Sequence, residues 1–154
     1  REDFDIALAE KVASYSPDLI ILAGFMRILG SRFVDHFAGD IINIHPSLLP
    51  KYPGLNTHQR ALDKGETETG ATVHFVTSDL DGGPIIVQAP VSIYPSDTAS
   101  MLANRVLEVE HLIFPMAVQW FCEKRLIMRN GRALLDNSVL PPTGKVYKRH
   151  KTEK

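Results

Sequence analysis

The 154 residues, 44% hydrophobic and 23% charged, have the profile of one globular domain, which excludes a disordered or fibrous chain and lets a core form without disulfides or a structural metal. With 17 basic and 18 acidic residues the net charge is -1, so the chain carries no electrostatic footprint for nucleic acid. One cysteine, Cys122, and no Cys/His cluster of zinc spacing point to a cytoplasmic, metal-free protein.

No apolar run reaches the roughly 20 residues that span a bilayer, because the run beginning at Leu19 soon meets Arg27. The acidic N-terminus Arg1-Glu2-Asp3-Phe4 is wrong for a secretory signal, so no membrane partner is expected. It lacks an initiator Met, which points to a piece of a larger protein or to processing.

In chain order, Phe4, Ile6, Ala7, Leu8, Val12 and Ala13 recur at helical spacing and predict an amphipathic helix over 3–15, ended by Pro17. Leu19-Ile20-Ile21-Leu22-Ala23 reads as a strand buried on both faces of a parallel sheet. A short helix over 33–37 and a second buried strand over 41–45 follow, the latter stopped by Pro46. Pro46, Pro50, Pro53 and Gly54 make 46–56 a stiff loop, after which Thr57 is a candidate N-cap and Gly65 a candidate C′ residue.

Strands over 71–76 and 85–91, joined by a turn-rich connection, form a candidate antiparallel pair. Ser96 or Asp97 can cap the longest helix, in which Met101, Leu102, Val106, Val109, Ile113 and Met116 recur, with Trp120 and Cys122 on its packed side and a kink at Pro115. Asn130-Gly131 predicts a terminal hairpin, and residues 141–154 read as a flexible, solvated basic tail after a domain over 1–140. Alternating strands and helices argue for an α/β sheet with an antiparallel edge, a fold that keeps its site at the carboxyl ends of parallel strands.

Asn43 and His45 stand there, at i and i+2 on one face of the second strand. A core amide and a capping imidazole fit that spacing, and so does a pair of N–H donors forming an oxyanion hole. Asp81 lies in Leu80-Asp81-Gly82-Gly83-Pro84, where glycines allow close approach of a ligand. It is a turn aspartate by one reading and by the other a carboxylate that favours a charged imidazole within about 4 to 6 Å. Met26-Arg27-Ile28-Leu29 fits either core or the wall of a planar pocket. His58, His74 and His111 have no partner at ligand spacing, and Glu108 and Glu110 fit a solvated helix face.

Asn43-Ile44-His45-Pro46-Ser47-Leu48-Leu49-Pro50, then Tyr52-Pro53-Gly54 and Leu80-Asp81-Gly82-Gly83-Pro84, resemble the folate-dependent formyltransferases over nearly the whole chain, to about Pro142. The likeness is strongest to the branch whose acceptor is the amine of glycinamide ribonucleotide, in purine synthesis. It implies a Rossmann-like α/β fold with a mostly parallel sheet and an antiparallel edge. It also implies transfer from 10-formyltetrahydrofolate as cosubstrate, without metal, by catalytic Asn43, His45 and Asp81. On the same ground Arg1, Met26, Arg27, Ile28, Leu29, Asn43, Thr77, Ser78, Asp79, Leu80 and Asp81 would hold the folate, and Leu107, Glu108, Val109 and Glu110 the nucleotide. Formyltetrahydrofolate deformylase, with the same three residues, is the runner-up, and an inactive folate-binding fragment the alternative from another class. A methionyl-tRNA formyltransferase would need a further C-terminal domain.

The family's Gly-rich phosphate turn has no counterpart here, and at about 30 residues per βαβ unit roughly 60 residues of N-terminal βα units are missing. The expectation is therefore that the chain alone does not bind the nucleotide phosphate. Its protein partner would be a complementing N-terminal segment or a second copy in a homodimer, and the strand at Leu19 would present an unpaired edge.

Overall fold

The computed structural model describes residues 2–24 and 29–149. They form, in order, α1 (Glu2–Ala13), β1 (Ile20–Leu22), α2 (Ser31–His36), β2 (Ile41–His45), α3 (Thr57–Asp63), β3 (Glu68–Phe75) and β4 (Ile85–Ser92). After these come α4 (Ala99–Cys122), β5 (Leu126–Arg129), β6 (Arg132–Leu135), β7 (Ser138–Val139) and β8 (Lys145–Val146). The α/β fold expected from the sequence is present. Its main sheet has the order β1-β2-β3-β4-β8, with β1–β2 and β4–β8 parallel and β2–β3 and β3–β4 antiparallel.

Alternation along β2 divides the core in two. Ile42 and Ile44 join Ala71, Val73 and Phe75 of β3 and Leu102, Val106, Val109, Ile113 and Ala117 of α4 on one face of the sheet. Ile41 packs on the other face with Ala9, Leu29, Phe33, Val34 and Phe37. α4 runs unbroken through Pro115, its inward stripe ending at Ala117; Met101, expected on that stripe, is 47% exposed. Trp120 packs against the core as expected, whereas Cys122, the last residue of the helix, is exposed.

Several expectations are corrected by backbone chemistry that side-chain patterns do not reveal. β1 is not buried on both faces: among the described residues it pairs only with β2, and Ile21 is 47% exposed on the open edge. In α1 the inward face carries Asp5, 2% exposed, whose carboxylate accepts the Gly30 amide at 3.0 Å, while Phe4 is turned half outward. Thr57 begins α3 but does not cap it; Asn56 precedes the helix at φ 56, and the Thr57 hydroxyl donates to the Pro46 carbonyl at 2.7 Å.

The cap of α4 is Thr98, whose oxygen accepts the Met101 amide at 3.1 Å. Asp97 is taken instead by the Tyr94 amide and by a bidentate pair with Arg105. Thr98→Ala should lower stability by about 1 kcal/mol in urea unfolding, and an unchanged midpoint would count against the cap. Of the expected solvated tail, residues 141–149 stay largely exposed but are held to the sheet, and 150–154 lie outside the described residues. β8 pairs with Val87 and Gln88, Gly144 packs on the Ile86 carbonyl, and the Tyr147 amide donates to the Gln88 carbonyl at 2.8 Å. Two residues held by main-chain bonds leave no hydropathy signal. The Asn130-Gly131 hairpin, both residues at positive φ, forms as predicted.

Candidate active site

Asn43 and His45 leave β2 on the face opposite Ile42 and Ile44, at its carboxyl end. In the antiparallel ladder Asn43 stands opposite His74 and His45 opposite Thr72, so all four side chains share a face. A register shift in the β3–β4 pairing at Val73/His74 lies beside them. The His74 Nδ1 is 2.9 Å from the Phe75 carbonyl, which can only accept; the proton therefore sits on Nδ1, and Nε2 accepts from the Asn43 amide nitrogen at 3.4 Å. One amide proton of Asn43 is held in this way.

The loop after β2 is fastened to the sheet by buried polar groups that are all satisfied. Thr72 Oγ1 donates to the Ser47 carbonyl at 2.7 Å and accepts the Leu49 amide at 3.1 Å, and Gln88 Nε2 donates to the Leu49 carbonyl at 2.7 Å. Ser47 Oγ donates to the Lys51 carbonyl at 2.6 Å. So placed, the Tyr52 carbonyl lies 2.8 Å from His45 Nε2, and because a carbonyl cannot donate, Nε2 carries a proton.

That leaves Nδ1 as the nitrogen facing Asp81, whose Oδ2 is 3.6 Å away. The same carboxylate stands 3.8 Å from His74 Nε2 and accepts the Gly54 amide at 2.8 Å, tying the 46–56 loop to the turn that bears Asp81. Asp81 sits at φ 49, a left-handed conformation that asparagine and aspartate tolerate better than other non-glycine residues. Gly83 serves packing rather than ligand approach: a Cβ there would overlap the Phe75 carbonyl oxygen.

The three elements close around a cleft of about 540 Å³ whose lining includes Asn43, His45, His58, Asp81 and Glu110. A second recess of about 70 Å³ lies beside it, lined by Leu22, Leu29, Asn43, His74 and residues 76–81. Burial, the largest cause in each case, pushes the pKa values of His74 and His58 below the ordinary histidine value and that of Glu110 above the ordinary glutamate value. His58 Nδ1 is buried without a hydrogen-bond partner among the described residues.

The two depressed histidines make stability sensitive to acid. A base whose folded pKa lies below its unfolded value binds fewer protons when folded, so its stabilising effect is complete above about 6.5 and is lost as pH falls below it. The urea midpoint should therefore drop between pH 7 and 5, with His74 contributing at most about 1.4 kcal/mol per pH unit. His74→Gln should flatten that dependence, and an equally steep curve would exclude His74 as a source.

Asn43, His45 and Asp81, far apart in sequence, are thus brought to one cleft. Leu29 and the turn residues Thr77, Ser78, Asp79, Leu80 and Asp81 line the adjoining recess. Arg1, Met26, Arg27 and Ile28 lie outside the described residues. Of the helical stretch 107–110, Glu110 reaches the cleft, Val109 is in the core, Leu107 is 45% exposed, and Glu108 pairs with Arg149 at 3.0 Å. Sequence reasoning passed over His74 and His58 because a spacing search along the chain cannot see cross-strand neighbours. The antiparallel pairing of β2 with β3 is the signal that would have found His74.

A mixed sheet with a cleft at the end of a strand that gathers His45, His58, Asp81 and Glu110 is the arrangement of an α/β enzyme. The chain belongs to the formyl transferase family, whose pattern matches residues 1–118. It is 51% identical over 144 residues to the phosphoribosylglycinamide formyltransferase of Escherichia coli (strain K12), covering 94% of this chain and 68% of that protein. The solved phosphoribosylglycinamide formyltransferase of Coxiella burnetii superposes with a TM-score of 0.91 at 52% identity, over 95% of this chain and 69% of that one. A formyltetrahydrofolate deformylase from Pseudomonas syringae pv. tomato superposes at 0.79 with 28% identity, over 84% of this chain and 44% of that one.

Proposed function

We infer that this chain transfers a formyl group from 10-formyltetrahydrofolate to the primary amine of glycinamide ribonucleotide, a step of purine biosynthesis. The observation that carries this reading is the identity of 51 to 52% with phosphoribosylglycinamide formyltransferases across nearly the whole chain, against 28% with the deformylase. The convergence of Asn43, His45 and Asp81 supports it.

In the mechanism that this geometry favours, the acceptor amine attacks the formyl carbon and charge gathers on the formyl oxygen. The other amide proton of Asn43 and a protonated Nδ1 of His45 are the donors that meet it, since Nε2 is committed to the Tyr52 carbonyl. Asp81 stabilises the imidazolium and, with a water in the cleft, passes the proton from the attacking amine towards the departing folate nitrogen. Leu29 and residues 77–81 would hold the folate, and Glu110 would accept from the nucleotide. A cytoplasmic setting belongs to the same proposal.

Product analysis tests the reading. With 10-formyltetrahydrofolate and saturating glycinamide ribonucleotide, which offsets the weak phosphate binding expected of this chain, the formylated nucleotide should accumulate. Formate as sole product, released equally without the amine, would assign the chain to the deformylases. Tight folate binding with neither product would make it an inert module.

A further inference from the structure

Tyr52 is a non-glycine residue at φ 55, a conformation that costs free energy unless its surroundings impose it. Its carbonyl is the acceptor of His45 Nε2, so whatever holds Tyr52 also holds the imidazole. The side chain is gripped twice. Its hydroxyl donates to Glu66 Oε2 at 2.8 Å, and the Arg60 guanidinium lies 5.3 Å from its ring centroid while bonding the Pro53 and Leu55 carbonyls. Lys51 also reaches Glu66, at 3.1 Å, but is largely exposed.

We propose that the Tyr52 hydroxyl and Glu66 form a positioning pair that holds the Tyr52 carbonyl against His45 Nε2 and thereby leaves Nδ1 as the nitrogen that exchanges a proton in the cleft. This rests on the formyl transfer reading given above. The tautomer is decided by competition between two acceptors. The carbonyl at 2.8 Å is within hydrogen-bond distance of Nε2, and the Asp81 carboxylate at 3.6 Å is outside it for Nδ1. If the carbonyl withdraws, the neutral ring gains by turning its proton to Nδ1 and donating to Asp81. The Nδ1 proton is then held by Asp81 instead of being offered to the formyl oxygen. Glu66 has its pKa lowered chiefly by the Tyr52 hydroxyl and next by Lys51, as expected of an ionised acceptor.

The experiment is ¹⁵N NMR of the His45 ring together with steady-state kinetics, on the wild type, Tyr52→Phe, Glu66→Ala, Glu66→Gln and Lys51→Ala. Tyr52→Phe and Glu66→Ala should move the protonated-nitrogen signal from Nε2 towards Nδ1. They should lower kcat roughly tenfold with KM within about twofold, because a misplacement of about 1 Å can cost about 10²-fold and this loosening is smaller. Glu66→Gln keeps an oxygen acceptor and should restore both readouts, and Lys51→Ala should change neither.

An unchanged ring signature in Tyr52→Phe and Glu66→Ala overturns the proposal, whether or not kcat falls. So does a Glu66→Gln protein as impaired as Glu66→Ala. A wild type without formyl transfer but with the expected tautomer shifts would sink the functional reading and leave the positioning pair standing.

Discussion

Alanine at Asn43 or at His45 is expected to slow formyl transfer by about 10²- to 10³-fold, the usual loss when one donor to a developing oxyanion is removed. His45 is 6% exposed and bonded to the loop carbonyl, so part of any loss in His45→Ala could come from a loosened loop. Asn43 separates the two effects. Its side chain bonds His74 at 3.4 Å and fastens no loop, so Asn43→Ala should fold as the wild type does. Asp81→Asn is the third member of the set. It keeps an oxygen for the Gly54 amide and removes the charge 3.6 Å from Nδ1, so it isolates electrostatics from scaffolding. Losses of tenfold or less for both alanine variants would remove Asn43 and His45 from the chemistry.

Gly83→Ala should damage stability and turnover together. The new methyl group would overlap the Phe75 carbonyl oxygen, an atom of a central strand that cannot move without disturbing the whole ladder. The turn must therefore shift instead, and it carries Asp81. Overpacking of this kind costs about 1–3 kcal/mol, and the misplaced carboxylate should lower kcat by up to about 10²-fold. Urea unfolding and kinetics on the same preparation check both halves. A Gly83→Ala protein with wild-type midpoint and wild-type kcat would show that the turn is free to adjust.

Elements whose burial follows a period were legible in the sequence: α4, β2, and the β3–β4 pair all stand where hydropathy puts them. Strand position put Asn43 and His45 side by side, whereas the joining of Asp81 to them was implied by the family resemblance, since a glycine-rich turn fits a plain turn aspartate equally well. What escaped was decided by main-chain atoms or by neighbours across a ladder. β8 is two residues of backbone pairing, Asp5 is buried for the sake of one amide, and His74 matters only because Asn43 lies opposite it. None of these leaves a trace in a one-dimensional pattern of apolar and polar residues.

The fastening of the loop after β2 relies on carbonyl oxygens: Thr72, Gln88, Ser47, His45 and Arg60 all bind main-chain acceptors of residues 47–55. Every amino acid brings the same oxygen to such a bond. Lys51, an exposed position there, is thus open to drift, and a randomised library at that codon should yield mostly functional clones. The opposite holds for the residues supplying the donors, whose replacement removes the bond itself.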